Sequence, residues 1–372
     1  IPGCDSHLLP RPHNIRYNQK STAFLLLALS AATGLLLLTF SHNLMYYWLF
    51  GLGFGIILQR SHVCFVSAAS DPILSQSTDQ FRSILIAILI ASFGISAIKY
   101  LSGGMFDTLG VAAVSIPLVL GAFIFGIGME LAGCCCSGMF IRMGEGYSVH
   151  FITFIFVVLG YTLGNTHYDQ LWAPLIQQSP SIFFPERFGW GLGVGIHIAI
   201  LMTFYIIAVK RDTQPAANEN TAYLKGAICL GILSVIHIIL LKSQWSVSGA
   251  FYWIEGCTKN LFTGTIKDFL NCKASIEVAA GSNLRNLGLL VGSLISVLFS
   301  SQFNFRKIHS KQQVIKSVIG GSLMGYGACI AGGCNIAAFF MATASLSLSG
   351  WIFMIALFGG AFVGIKLLYK FV

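Results

Sequence analysis

Three cysteines stand side by side in LAGCCCSG, Leu131 to Gly138, where a long apolar run ends. A second thiol loop, AGGCN from Ala331 to Asn335, ends another such run in the far half of the chain. Setting Leu120–Cys136 over Ile319–Asn335 places LGAFIFGIGMELAGCCC on IGGSLMGYGACIAGGCN. Gly121, Gly126, Gly128, Ala132 and Gly133 then fall on Gly320, Gly325, Gly327, Ala331 and Gly332. Cys135 falls on Cys334, while Cys134 falls on Gly333 and Cys136 on Asn335. The two halves read as copies of one unit, and the middle thiol is the one that recurs. A third loop, QRSHVCFVSAASD from Gln59 to Asp71, offers Arg60, His62 and Cys64.

A neutral thiol is small and soft and only a weak hydrogen-bond donor and acceptor. A row of thiols can therefore touch a sulfur-bearing anion without trapping it as an ammonium group would. Amides exposed at the N-termini of broken helices would supply positive ends for the anion's oxygens. Cys64, Cys135 and Cys334 are the expected path residues. Cys134, Cys136 and Cys329 each occur in one half only and read as neighbours of the path or as small packing residues. Arg60, His62, Asn335 and Glu130 are secondary candidates. Arg142 and Glu145 read as partners of each other, His197 and His237 as hydrogen-bonded core histidines, and the isolated Cys229 as a small buried hydrophobe.

The elements that must position these groups are membrane helices. Only 9% of the 372 residues are charged and 55% are hydrophobic, against roughly 25% charged in a soluble domain. Runs near the roughly 20 residues that cross a bilayer recur at Ala23–Phe40, Ile84–Tyr100, Val111–Met129, Val149–Asn165, Trp190–Val209, Tyr223–Leu241, Asn286–Ser301, Gln313–Ile330 and Gly350–Tyr369. The Gly-rich Leu44–Leu58 is a shorter tenth. The fold class is thus all-α and polytopic, with about nine to ten transmembrane helices. A membrane β-barrel would instead alternate polarity over strands of about ten residues.

After each recurring cysteine comes a piece too short to cross, Met139–Met143 and Ala337–Ala344, read here as a re-entrant short helix. Irregular backbone at membrane depth survives only when buried in protein or lining a cavity. Two such loops are expected to meet near the midplane, in the inverted-repeat arrangement of transporters. The expected organisation is an N-terminal tail at 1–22, a first half at 23–209 with the Cys64 and Cys135 loops, and a second half at 210–372 with the Cys334 loop. The tail is polar and reads as cytoplasmic rather than as a cleavable signal.

Basic residues set the expected threading. Arg11, Arg16 and Lys20, the pair Lys210 and Arg211, the group Arg306, Lys307, Lys311 and Lys316, and Lys366 with Lys370 share the cytoplasmic side after ten crossings. The loops Leu101–Gly110, Thr166–Gly189 and Lys242–Arg285 are then external. Cys257 and Cys272 lie in the last of these, either as a disulfide or as two unrelated thiols. The net charge of +9 is spread over short loops, so it describes topology and does not indicate nucleic-acid binding. The glycine spacings have no βαβ surroundings for a dinucleotide, and no nucleotide, cofactor or metal motif is read.

RSHVCF, GIGMELAGCCCSGMFIRMGEG, QWSVSG and GGSLMGYGACIAGGCNIAAFF together make the chain resemble the YeeE/YedE family of bacterial membrane proteins. The resemblance implies an hourglass-like inner-membrane importer in which thiosulfate passes a relay of thiols at Cys64, Cys135 and Cys334. A cytoplasmic sulfurtransferase or sulfur carrier is a partner of the kind it implies, and no cofactor is implied. Two positions depart from the family loops: Cys134 and Ala337 each stand where a glycine is expected. The alternatives are a selenium-compound transporter of the same family and a membrane thiol-disulfide oxidoreductase; a soft-metal permease would need histidine or methionine neighbours that the loops do not cluster. Reporter tags after Asp212 and after Ser310 are predicted to be cytoplasmic and a tag near Asn260 external; a reporter placing Asn260 and Asp212 on one side would contradict this threading.

Overall fold

The computed structural model describes residues 18–212, 221–251 and 276–370, with side chains from residue 280 in the last segment. The expectations for the N-terminal tail before residue 18 and for Cys257 and Cys272 lie outside these residues. The described chain is helical, with α1 Gln19–Phe40, α2 His42–Ser61, α3 Phe65–Leu74, α4 Asp79–Leu101, α5 Ile116–Ala132, α6 Cys136–Gly144 and α7 Val149–Thr166. After a π-helical turn at Tyr168–Trp172 come α8 Ala173–Gln177, α9 Phe184–Phe188, α10 Trp190–Arg211 and α11 Thr221–Leu241. The last four are α12 Ile276–Phe299, α13 Lys311–Ile330, α14 Asn335–Ala344 and α15 Leu348–Lys370.

Among the described residues nine segments are long and apolar enough to cross a membrane, or ten when α13 and α14 count as one broken span. Leu44–Leu58 belongs to a full helix, α2, which α3 extends to Leu74 within one interrupted span. Lipid-facing apolar side chains explain why the spans lack a polar stripe: Leu35 is 67% exposed on α1, and Leu192 is 69% exposed on α10. Cys229 is also exposed on α11, so it belongs to this outer surface and is not a core residue.

Two interruptions carry the cysteine loops. Ser115 caps α5 through its Oγ, which accepts from the Leu118 amide at 3.2 Å, with Pro117 in the first turn. The helix stops at Gly133, whose φ of +68° is a left-handed conformation that glycine adopts without strain. α13 stops in the same way at Gly332, φ +72°, and α14 departs at 49° to it. Cys135 and Cys334 follow with nearly the same backbone, φ −94° and ψ 179° against φ −85° and ψ −179°.

The broken helices are pressed together at their glycines. A Cβ on Gly121 would lie 2.7 Å from the Gly327 carbonyl oxygen, and one on Gly327 2.6 Å from that of Gly121. Gly128 and Gly320 stand in the same reciprocal relation, each 2.7 Å from the other's carbonyl oxygen. With no apolar solvent effect to drive helices together in lipid, such small-residue surfaces are what allow close approach. Around this crossing α5 packs on α15 and α7 on α13, while α2 packs on α12 and α4 on α11. α6 lies against α12, and α14 lies against α4 and α15.

The segment expected as one external loop, Lys242–Arg285, differs from that reading at both ends. Its start turns into the protein, where Trp245, Val247 and Phe251 are fully buried. Its end is helix: α12 begins at Ile276, so Arg285 is inside a membrane-spanning helix and 1% exposed. A charge marks the end of a span only when the bundle offers it no buried partners, and here it does. Gly128→Val and Gly327→Val are predicted to abolish the monodisperse folded protein in detergent, because each adds atoms where backbone already sits. Gly191→Ala, with nothing within 4 Å of the added carbon, is predicted to keep or raise the thermal midpoint in the same assay.

Candidate functional site

Both recurring cysteines occupy the N-cap of a short helix, and Cys135 accepts a backbone hydrogen bond with its sulfur. The Cys135 Sγ accepts from the Gly138 amide at 3.3 Å and lies 3.3 Å from the Ser137 hydroxyl. The Cys334 sulfur is met by the amides of Ile336 and Ala337. These amides head helices that begin inside the protein and lack intrahelical partners. The Cys135 thiol satisfies one of them, and the positive N-terminal ends suit an anion.

The two loops meet through a pair that the repeat register does not align. The Cys136 and Cys334 thiols are close neighbours, so a residue read as secondary stands beside a primary one. A further partner arrives from the segment after α11: the Ser248 Oγ accepts from the Cys334 amide at 3.1 Å and also bonds the thiol. Cys135, Cys136 and Cys334 are at most 1% exposed. Beside them Asn335 is fully buried, and neither its Nδ2 nor its Oδ1 has a hydrogen-bond partner among the described residues. A buried amide left unpaired costs roughly 1–3 kcal/mol, and a passing anion's oxygen would relieve the donor half of that cost.

Cys64 is half-buried at the start of α3, and the loop before it is braced by Gln80. The Gln80 Oε1 accepts from the Cys64 amide at 3.1 Å, and its Nε2 donates to the His62 carbonyl at 3.0 Å. His62 takes φ +54° to end α2. With Gln59, Arg60, Phe299, Ser300 and Gln302 it lines an open cavity of about 370 Å³. Arg60 and His62 therefore line this cavity, whose lining includes none of the buried thiols. α3 reaches the second loop through Phe65, whose ring lies edge-on to Phe339 and Phe340 at 6.3 Å.

The remaining sulfur atoms have structural surroundings. The Cys134 Sγ is 3.3 Å from the His150 Nδ1, which ties the loop to α7. Cys329 packs where α13 crosses α7, its Cβ 2.8 Å from where a Gly164 Cβ would be. Glu130, at the aligned position, packs the same way against Gly364. Arg142 and Glu145 pair at 3.3 Å as expected, next to Tyr147, whose ring lies under Arg306. His197 and His237 are buried and hydrogen-bonded, His197 to Ser92 at 2.9 Å and His237 to the Ser243 carbonyl at 3.1 Å.

Ser248, His150 and Arg285 are site or supporting residues that the sequence reading did not single out. For Ser248 a signal existed: Ser246-Val247-Ser248 laid over His62-Val63-Cys64 puts a hydroxyl where the other half has a thiol.

A multi-pass helical bundle whose interrupted helices bring thiols, a hydroxyl and free amide ends to one buried point is built as a membrane transporter. The family model described as Sulphur transport matches residues 60–363, and the chain belongs to that family. It is 26% identical to the Thiosulfate transporter TsuA of Escherichia coli, over 85% of this chain and 92% of that one. It is also 26% identical to the Thiosulfate transporter TsuA of Spirochaeta thermophila, over 82% and 92%. A shorter match, 33% identical over 124 residues, joins it to the Probable transporter YedE of Escherichia coli and covers 29% of that protein. The family is one of transporters and not of enzymes, which sets aside the oxidoreductase reading. In the full chain, mild oxidation with copper phenanthroline is predicted to join the peptides carrying Cys136 and Cys334, and Cys136→Ser to prevent it; recovery of both peptides unlinked from the wild-type chain would contradict the contact.

Proposed function

We propose that the protein imports a sulfur oxyanion, thiosulfate, across the inner membrane along a path of thiols. The observation that carries this is the meeting of Cys136 and Cys334 between two interrupted helices, beside the unpaired amide of buried Asn335. Thiosulfate has a soft terminal sulfur and a hard, charged SO3 end. Thiols suit the first by weak, polarizable contacts, and amide N–H groups at helix ends suit the second. The names of the two long relatives support this cargo.

Transport runs through a thiol-lined constriction. Cys64, half-buried, stands on the approach at one side, and the thiols of Cys135, Cys136 and Cys334 form the constriction with Ser248. Each contact is weak, so the anion can exchange from one thiol to the next without a deep well, as conduction requires. The inverted-repeat reading is supported by the reciprocal glycine contacts of α5 and α13 and by the matched loop geometry of Cys135 and Cys334. The cluster Arg142, Glu145, Tyr147 and Arg306 marks the end assigned to the cytoplasm. Released thiosulfate carries a transferable sulfur there, which is the substrate of a sulfurtransferase or sulfur carrier.

Uptake of labelled thiosulfate, compared with sulfate and selenite, in a host lacking its own sulfur importers tests this reading. Cys135→Ala and Cys334→Ala are predicted to reduce thiosulfate uptake at least about tenfold at unchanged expression, and Cys64→Ala to be severe. Cys134→Gly, which restores the residue found at the aligned position, is predicted to transport. Normal uptake by Cys334→Ala would remove the thiol path, and a wild-type chain that accumulates selenite but not thiosulfate would reassign the cargo.

A further inference from the structure

Arg285 is 1% exposed inside α12, and among the described residues no carboxylate lies within ion-pair distance of it. Its guanidinium is held by neutral groups. The Nη1 donates to the His237 Nε2 at 2.8 Å, and the Nη2 to the Ser246 carbonyl at 2.5 Å and the Ser282 Oγ at 3.4 Å. The Tyr47 ring lies 5.4 Å from it, and the Nε has no hydrogen-bond partner among the described residues. Arg82, by contrast, is paired with both Asp79 and Asp212. A fully buried cation without a counter-charge is expensive to fold, and intramembrane charges of this kind mark ion pathways.

The placement of this charge is specific. The Ser246 carbonyl that Arg285 holds belongs to the turn carrying Ser248, which bonds Cys334. The guanidinium and the Cys334 sulfur are electrostatic neighbours. Asn286, the next residue, secures the same turn by donating to the Val247 carbonyl at 2.8 Å. The corresponding turn at His62 to Cys64 is braced by the neutral Gln80. While buried Lys99 is held elsewhere, by the Asp107 and Ser345 carbonyls, the guanidinium of Arg285 is a buried positive charge placed behind the turn at Ser246 to Ser248. In a low-dielectric interior that charge acts well beyond contact distance, and a dianion gains twice what a monoanion gains.

We propose that Arg285 determines the charge selectivity of the path: its uncompensated guanidinium, held off the cargo by His237, Ser246 and Tyr47, makes the surroundings of Cys334 attractive to divalent oxyanions. This rests on the anion-transport reading and adds its source of valence discrimination. A guanidinium in contact with the cargo would bind it tightly and slow its release. One held behind the wall attracts without grasping.

Uptake kinetics and thiol labelling on the full chain in membranes test it. Arg285→Gln is predicted to raise the KM for thiosulfate about tenfold or more with a smaller change in maximal rate, and Arg285→Lys to stay near wild type. Because Arg285→Gln also removes a brace, a second variant leaves the arginine in place. Ser282→Asp sets a carboxylate against the guanidinium, cancelling its field while Ser246 remains held, and is predicted to raise KM as Arg285→Gln does. Ser282→Asn is predicted to leave it unchanged. In an arm independent of the cargo, the rate of Cys334 alkylation by iodoacetate relative to neutral iodoacetamide should fall in both charge-cancelling variants. Wild-type KM and an unchanged alkylation ratio in folded Ser282→Asp would overturn the proposal. Absent thiosulfate uptake by the wild type together with a reduced ratio in the variants would overturn the cargo assignment and leave the charge role standing.

Discussion

A helix that breaks inside a membrane exposes amide groups that no water can satisfy, and everything at the centre of this protein follows from how that is met. At the first break the acceptor is sulfur, where Cys135 takes the Gly138 amide, and at the second the Cys334 sulfur faces the amides of Ile336 and Ala337. Oxygen caps would accept these bonds more strongly. They would also present a hard, strongly hydrogen-bonding surface to whatever passes. A thiol satisfies the backbone and still leaves a soft, uncharged face, so structural need and transport chemistry are met by one atom.

Holding two such breaks at one place requires close backbone contact, which the glycines of α5 and α13 supply. Side chains at Gly121, Gly128, Gly320 or Gly327 would separate the helices and draw the loops apart. The packing of α6 against α12 and of α14 against α4 then fixes the short helices from outside. The second layer is polar and sparse: Gln80 braces one turn, and Arg285 with Asn286 braces the other. The helical bundle serves chiefly to keep two otherwise unstable interruptions facing each other.

Much of this could be read from the sequence because apolar runs bounded by polar residues have few alternatives in a bilayer. Gln313–Ile330 became Lys311–Ile330, and Gly350–Tyr369 became Leu348–Lys370. The cysteine loops were visible because glycine and thiol recur at matching positions. Other features were hidden for physical reasons. Register tells which residues are alike, whereas contact across the meeting of two loops joins unlike ones, and so Cys136 rather than Cys135 was found against Cys334. Lipid and protein core are equally apolar, so nothing in the residue type distinguished exposed Cys229 from a buried thiol. Arg285 looked like the edge of a span because the histidine and carbonyl that receive it come from residues far away in the chain.

The bonding around Cys334 also bears on which parts can move. Its backbone amide is held by Ser248, and its sulfur lies among the amides of its own helix, the Ser248 hydroxyl and the Cys136 thiol. The bond to Ser248 is made by the backbone, and the side chain is fully buried among these neighbours, so the residue is a fixed post and not a gate. The bonds that can open singly are those arriving from other segments, the Cys136 thiol on α6 and the Ser248 hydroxyl on its buried turn. Any widening of the constriction is therefore a displacement of those two neighbours around a stationary sulfur.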